Sequence, residues 1–320
     1  MTELALPALA IVVGFIALVW GADRFVMGSA ATAQNFGVSP LIIGLTIVGF
    51  GTSAPEMLVS SMAAYRDAAN LSIGNAVGSN IANVALVLGL AAMVSPIQVN
   101  QKILRRELPL LVVMMLVAGG LLWDGELGFV DGIVLLSGLF AMIVWVVREG
   151  LQERELPDEL AGEMPDAMST PLAFFWILVG LVVLLGSSEA LVWGAKEIAL
   201  SIGVSERVIG LTVVAFGTSL PELAATLVAA KRGEHDIALG NIVGSNMFNT
   251  LGVLGLPGVI RPGRCEERVL TLDFPVMIGV AVLLWVLARM LRPYRHIGRK
   301  RGALLLSIYV AYVAALVVLQ

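Results

Sequence analysis

The chain has 320 residues, 58% of them hydrophobic and 14% charged, with a mean hydropathy of +0.92 and a formal net charge of -4. A soluble globular domain carries roughly 25% charged residues, so this chain lacks the charge to cover a water-facing surface and reads as an integral membrane protein. The first residues, Met-Thr-Glu-Leu, form no positive n-region, so the first apolar run reads as a permanent span rather than a cleaved leader. The single cysteine, Cys265, excludes an intrachain disulfide and a cysteine metal cluster. The two histidines, His235 and His296, fall in charged loops, which argues against a histidine metal site.

A membrane span needs about 20 mostly apolar residues. Ten runs meet that description: 6–33, 41–64, 71–94, 106–123, 129–147, 172–199, 207–230, 237–259, 271–290 and 302–319. They are too long and continuous for barrel strands, which need about 10 alternating residues. Spans one and six are long and carry Asp23, Arg24, Lys196 and Glu197. These charges read as unmatched between the halves, and snorkelling or local pairing accounts for them.

The stretch 149–170 is acidic and contains Pro157 and Pro165. It reads as a solvated hinge between 1–148 and 171–320, with five spans on each side. An odd number of spans per half makes the second half enter from the opposite side, the arrangement common in secondary transporters. The expected fold is therefore an all-α membrane protein: ten transmembrane helices in two inverted-topology five-helix repeats. With both termini outside, 13 Lys and Arg face the cytoplasm against 5 on the other side, which is the orientation the positive-inside rule favours. The expected location is the cell (inner) membrane, with periplasmic termini.

Two motifs recur. Gly44-Leu-Thr-Ile-Val-Gly-Phe-Gly-Thr-Ser-Ala-Pro-Glu56 returns as Gly210-Leu-Thr-Val-Val-Ala-Phe-Gly-Thr-Ser-Leu-Pro-Glu222. Gly74-Asn-Ala-Val-Gly-Ser-Asn-Ile-Ala-Asn83 returns as Gly240-Asn-Ile-Val-Gly-Ser-Asn-Met-Phe-Asn249, again 166 positions on. In the first motif, Pro55 and Pro221 lack an N–H and clash with the carbonyls of Gly51 and Gly217. A broken helix is expected there, exposing backbone oxygens such as those of Thr52 and Thr218 beside Ser53 or Ser219 and the carboxylate of Glu56 or Glu222. Thr52, Glu56 and Ser60 share a helix face, as do Thr218, Glu222 and Thr226. In the second motif, Asn75, Ser79 and Asn83 step by four, as do Asn241, Ser245 and Asn249. Gly74, Gly78, Gly240 and Gly244 form small-xxx-small pairs that admit a neighbouring helix.

Every donor here is oxygen. Ca²⁺ takes six to eight oxygens at about 2.3–2.6 Å, whereas softer metals call for imidazole or thiolate. Two carboxylates balance one divalent cation. Several monovalent cations would compete for the same oxygens, and mutually exclusive occupancy is the physical basis of exchange. For any single Ser, Thr or Asn, interhelical packing is the plainer account. For Glu56 and Glu222 it is not, because an acid in a membrane span is expensive and this one occurs twice.

These elements resemble the alpha repeats of the cation/calcium antiporter superfamily, whose best-known branch is the sodium/calcium exchangers, here of bacterial or archaeal type. The resemblance covers the whole chain. It implies that Glu56 and Glu222 bind Ca²⁺ and share in Na⁺ binding, and that Thr52 and Thr218 contribute main-chain carbonyls. Ser53, Ser219, Ser79 and Ser245 match the family's Na⁺-site residues, and Asn83 and Asn249 match deeper amide or acid positions. Val48 and Val214, four before each threonine, match a further backbone carbonyl. Some members carry aspartate at the place of Asn249, an acid tied to K⁺ dependence in some branches, so the asparagines here argue against K⁺ co-transport. The short linker lacks room for the large cytoplasmic domains of animal exchangers.

The implied function is antiport of Ca²⁺ against Na⁺ by alternating access, with spans one and six sliding on their glycines (Gly14, Gly21, Gly28; Gly180, Gly186, Gly194). A Ca²⁺/H⁺ antiporter is the nearest alternative, with a proton carried by a buried glutamate. A cation channel with a glutamate filter and an intramembrane hydrolase using two acids fit less well. The expected partners are Ca²⁺, Na⁺ (or H⁺) and the lipid bilayer; no resident cofactor, nucleic acid or enzymatic activity is expected. The oligomeric state is not legible.

Overall fold

The structure is a computed structural model that describes residues 4–66, 69–152, 168–203, 215–290 and 296–318. The apolar runs form helices because a backbone away from water must satisfy its own N–H and C=O groups. Helix α1 is Ala5–Phe36, α2 Pro40–Tyr65, α3 Asn70–Val94, α4 Leu108–Leu121 and α5 Phe129–Gln152. Then follow α6 Thr170–Ser201, the single turn α7 Ala215–Thr218, α8 Leu220–Arg232, α9 His235–Ile260, α10 Val269–Arg289 and α11 Arg299–Val318. Among the described residues, seven helices are long and apolar enough to cross a bilayer: α1, α2, α3, α5, α6, α9 and α10. The other expected spans fall on α4, on α7 and α8 from Ala215 onward, and on α11. Residues 207–214, the start of the expected seventh span, lie outside the described set.

Helix α9 is buried along its length and α3 along most of it, whereas α1 and α6 bury only about a quarter of their residues. The core thus sits around the two polar motifs, and the two longest helices flank it. Helices α1 and α6 pack antiparallel at backbone range. A Cβ at Gly21 would lie 2.9 Å from the Leu184 nitrogen and 3.1 Å from the Gly180 oxygen. Small residues permit this approach in lipid, where packing rather than hydrophobic transfer drives association. Gly186 takes no part: no described atom lies within 4 Å of a Cβ built there.

Several expectations need correction. Helix α2 is not broken at Gly51–Pro55; it runs helically through Pro55. Proline removes one N–H, and the flanking bonds hold the helix. The irregularity lies upstream as a π-helical turn at Gly44–Val48. In the second motif the chain does break, at Ser219, which leaves Pro221 in the first turn of α8, where its missing N–H costs nothing. The acidic segment begins later than residue 149, because α5 continues to Gln152 and Glu149 is held by a bidentate pair with Arg106. The fold also contains strand. β1 (Ile97–Gln98) pairs with β4 (His296–Ile297), and β2 (Glu126–Leu127) with β3 (Gly263–Arg264). His296 therefore lies in a ladder and His235 opens α9, rather than both lying in loops. Each ladder ties a connection of 1–148 to one of 171–320.

The charges of span one are held by partners distant in sequence, not by the local pairing or snorkelling expected of them. Arg232 donates to Asp23 Oδ1 from Nε and Nη2 at 2.8 and 2.6 Å. Arg24 stacks over Trp176, 4.9 Å from the ring centroid, and over Trp20. The reading of Asp23 as unmatched is wrong. Glu189 of α6 stands 166 positions on (23 to 189).

Candidate functional site

The first motif lies on α2 and at the α7–α8 junction; the second lies on α3 and α9. Glu56, Glu222, Thr52, Asn83, Asn249 and Ser245 have no exposed surface, and Ser53, Ser219 and Ser79 are buried. Thr218 is half-buried in α7. Val48 is buried, and its carbonyl lies 3.1 Å from Thr52 Oγ1. Val214 lies outside the described residues.

The two halves meet directly. Thr52 Oγ1 of α2 lies 3.0 Å from Asn241 Oδ1 and 3.1 Å from Ser245 Oγ, both on α9. Ser245 Oγ donates to the Gly49 carbonyl at 3.3 Å. This proximity depends on glycine. A Cβ at Gly240 would lie 2.8 Å from both the Gly44 Cα and the Leu41 oxygen, so α9 touches α2 backbone to backbone. Gly240 and Gly244 thus serve the expected close approach, whereas no described atom lies within 4 Å of a Cβ at Gly74 or Gly78.

Each half holds its glutamate by the same bracket. Asn75 Nδ2 donates to the Glu56 carbonyl at 3.3 Å and to Ser60 Oγ at 3.0 Å. Asn241 Nδ2 donates to the Glu222 carbonyl at 3.3 Å and to Thr226 Oγ1 at 2.9 Å. The glutamate backbones are fixed while their carboxylates are left uncommitted. Asn241→Ala is expected to lower stability by about 1–3 kcal/mol, because it leaves the buried Thr226 hydroxyl and Glu222 carbonyl without their donor. Thermal unfolding in detergent measures that loss.

The carboxylates are the notable atoms. Both oxygens of Glu56 and of Glu222 are buried without a hydrogen-bond partner, as are Ser53 Oγ, Ser219 Oγ and both side-chain polar atoms of Asn83 and Asn249. Glu56 and Glu222 repel one another electrostatically when both are charged. Buried polar atoms are ordinarily partnered, and each exception calls for an explanation. Most of the orphaned atoms among the described residues come from the two motifs; the rest are Arg24 Nε, Ser29 Oγ, Glu107 Oε2, His235 Nδ1 and Arg268 Nε. In the two motifs they are oxygen-bearing side chains that accompany two acids in the same sequence elements, a donor type suited to a hard cation. An apolar groove of about 1090 Å³ between α1, α6 and α8 includes neither acid in its lining; Phe15, Leu191 and Leu223 line it, with Asp23 and Arg232 at one end.

Sequence reasoning missed three features. Asn83 and Asn249 sit on π-helical turns, Ala82–Val87 and Asn249–Val253, which re-aim a side chain and often mark functional sites. Further turns, Ile103–Glu107 and Val269–Asp273, end in a second pair of acids at the repeat offset. Glu107 is buried, and Asp273 accepts from Tyr312 at 2.8 Å. The 166-residue offset alone would have found that pair. The neighbours Asn80 and Asn246 are buried too, but only Asn80 has a partner, the Thr250 hydroxyl at 3.0 Å.

Comparison with known proteins follows the same lines. The family model for sodium/calcium exchanger protein matches residues 6–148 and 172–318. The chain is 42% identical over 305 residues to the putative antiporter CaxA of Alkalimonas amylolytica, covering 94% of this chain and 96% of that one. It is 31% identical to the sodium/calcium exchanger MaX1 of Methanosarcina acetivorans, covering 96% and 97%. A solved structure of the sodium-calcium exchanger NCX_Mj, soaked with 10 mM Na⁺ and zero Ca²⁺, superposes with a TM-score of 0.86 at 36% identity, covering 98% of this chain and 99% of that one. The chain belongs to the sodium/calcium exchanger family of cation/calcium antiporters. It is a multi-pass helical membrane protein with the fold of NCX_Mj, and its family is one of transporters rather than enzymes, with Na⁺ and Ca²⁺ as the transported ions.

Proposed function

We propose that the protein exchanges one Ca²⁺ for Na⁺ at a single central site built by Glu56 and Glu222. The observation that carries this reading is the set of four carboxylate oxygens, buried and unpartnered, together with the orphaned Ser53, Ser219, Asn83 and Asn249 atoms of the same two motifs. An isolated ionised acid in a medium this poor in water is costly, and a bound cation removes that cost. Thr52, Thr218, Ser79, Ser245 and the Val48 and Val214 carbonyls complete the shell. Neutral hydroxyl and amide oxygens at eight of these twelve positions give Na⁺ its own ligands, whereas a proton needs only a glutamate. This favours Na⁺ over H⁺ as the counter-ion.

The site sits between two inverted five-span repeats, 1–148 and 171–320, joined by the acidic segment, with ten spans in all. The equal offset of the motifs, the mirrored asparagine brackets and the matched π-helical turns support that organisation. The charge bias supports periplasmic termini and an inner-membrane location. Exchange of three Na⁺ for one Ca²⁺ would move one net charge, to which the membrane potential contributes about 2.3 kcal/mol per 100 mV.

The test is ⁴⁵Ca²⁺ uptake into proteoliposomes preloaded with Na⁺, with K⁺, or with only a proton gradient. Uptake driven by the Na⁺ gradient alone is expected. Uptake driven by the proton gradient and indifferent to Na⁺ would replace this reading with Ca²⁺/H⁺ antiport.

A further inference from the structure

Two ion-pair positions recur across the halves, and only one is made. Asp23 on α1 binds Arg232 at the end of α8, 2.6 Å apart. Adding the repeat offset to Asp23 gives Glu189 on α6; subtracting it from Arg232 gives Arg66, the C-terminal cap of α2. Glu189 and Arg66 are both exposed, and neither is in an ion pair among the described residues. The helix contacts show the same asymmetry: α1 packs extensively on α8, while α6 touches α2 at few places.

Resting on the exchange reading above, we propose that Asp23–Arg232 and Glu189–Arg66 are two alternative latches that position the α1–α6 pair, one closed in each access state. Helices α1 and α6 are locked to one another by backbone contacts at Gly21 and Gly180, so they move as one body. In the conformation described, that body is clamped to α8. With the charge-bias orientation, this clamp closes the cytoplasmic side and the open pair lies on the outer side. Sliding the pair opens the first latch and lets Glu189 reach Arg66, the same interaction reflected through the pseudo-twofold axis. A partly exposed ion pair is weak, but the access states of an exchanger differ little in free energy, so a weak pair shifts their ratio several-fold.

The chemistry within reach of the formed latch fits a switch rather than a structural bridge. Lys231 and Glu234 flank Arg232 and Arg24 adjoins Asp23, but Arg24 is committed to the faces of Trp20 and Trp176. Among the described residues Asp23 therefore has one ion-pair partner, and that partner sits on the opposing body.

The test reads conformation rather than transport, so it stands even if the counter-ion assignment fails. Spin labels at Tyr65→Cys and Ile202→Cys, two highly exposed sites at the ends of α2 and α6, are introduced in a Cys265→Ala background in lipid nanodiscs. Electron–electron distance measurements then report the two populations. Arg232→Gln is expected to shift the ratio several-fold toward the second distance. Glu189→Gln and Arg66→Gln are expected to shift it the opposite way. The swap Asp23→Arg with Arg232→Asp is expected to restore the starting ratio, which loss of a merely structural contact would not do. Shifts in the same direction, unchanged populations, or a swap that behaves like the single variants would overturn the proposal.

Discussion

Glu56→Gln and Glu222→Gln are each expected to abolish counter-ion-driven Ca²⁺ uptake while leaving a folded protein. Glutamine keeps the shape and one oxygen but removes half the negative charge around a divalent ion. Removing one partner of a buried charge pair costs about 3–5 kcal/mol, so Ca²⁺ affinity should fall on the order of a hundredfold or more. The cation-free protein should behave differently. Glu56 and Glu222 repel one another when both are charged, and their carboxylate oxygens accept no hydrogen bond. Either substitution should therefore leave thermal stability in chelator unchanged or raise it. A purely structural glutamate would give the reverse pattern, with stability lost and flux in proportion to the surviving protein. ⁴⁵Ca²⁺ flux and thermal unfolding on the same preparations separate the two.

Gly240→Val should have the second large effect, through packing rather than charge. Its first added carbon would already sit 2.8 Å from the backbone of α2 at Gly44 and Leu41. No side chain can rotate away, because the obstacle is main chain. Helices α9 and α2 must separate, and that opens the contacts of Thr52 with Asn241 and Ser245. Overpacking of this kind costs about 1–3 kcal/mol, and the rigid obstacle places Gly240→Val at the upper end. Gly279→Ala in α10 is the matched control. No described atom lies within 4 Å of a Cβ there, and the change should be neutral to slightly stabilising. Monodispersity and unfolding temperature in detergent report both.

Much of the candidate site can be proposed from the sequence because lipid leaves little freedom. A glutamate inside an apolar run needs a reason, and Glu56 and Glu222 give the same reason twice at one offset. The asparagine faces followed from helical spacing, but the hold of Asn75 on Ser60 and of Asn241 on Thr226 crosses between helices, which spacing within one helix does not specify. The backbone around the site was less legible. Pro55 and Pro221 carry the same local sequence, yet α2 runs through the first and the chain breaks before the second. The outcome depends on how the neighbouring turns absorb the lost bond, a tertiary matter. The π-helical turns at Asn83 and Asn249 have no compositional marker, since one wider turn uses the same residues. The partnership of Asp23 with Arg232 spans 209 positions and no periodicity reports it. The mirrored Glu189 is legible in the offset, although charges near span ends usually snorkel.

The central claim is that both carboxylates close on one ion. An anomalous-difference map from crystals grown with Ca²⁺ tests it most directly. The account predicts one strong peak within about 2.3–2.6 Å of oxygens from both Glu56 and Glu222, with Thr52 and Thr218 carbonyls in the same shell. A peak bound by only one of the two acids, or no peak between α2 and α8, would contradict it.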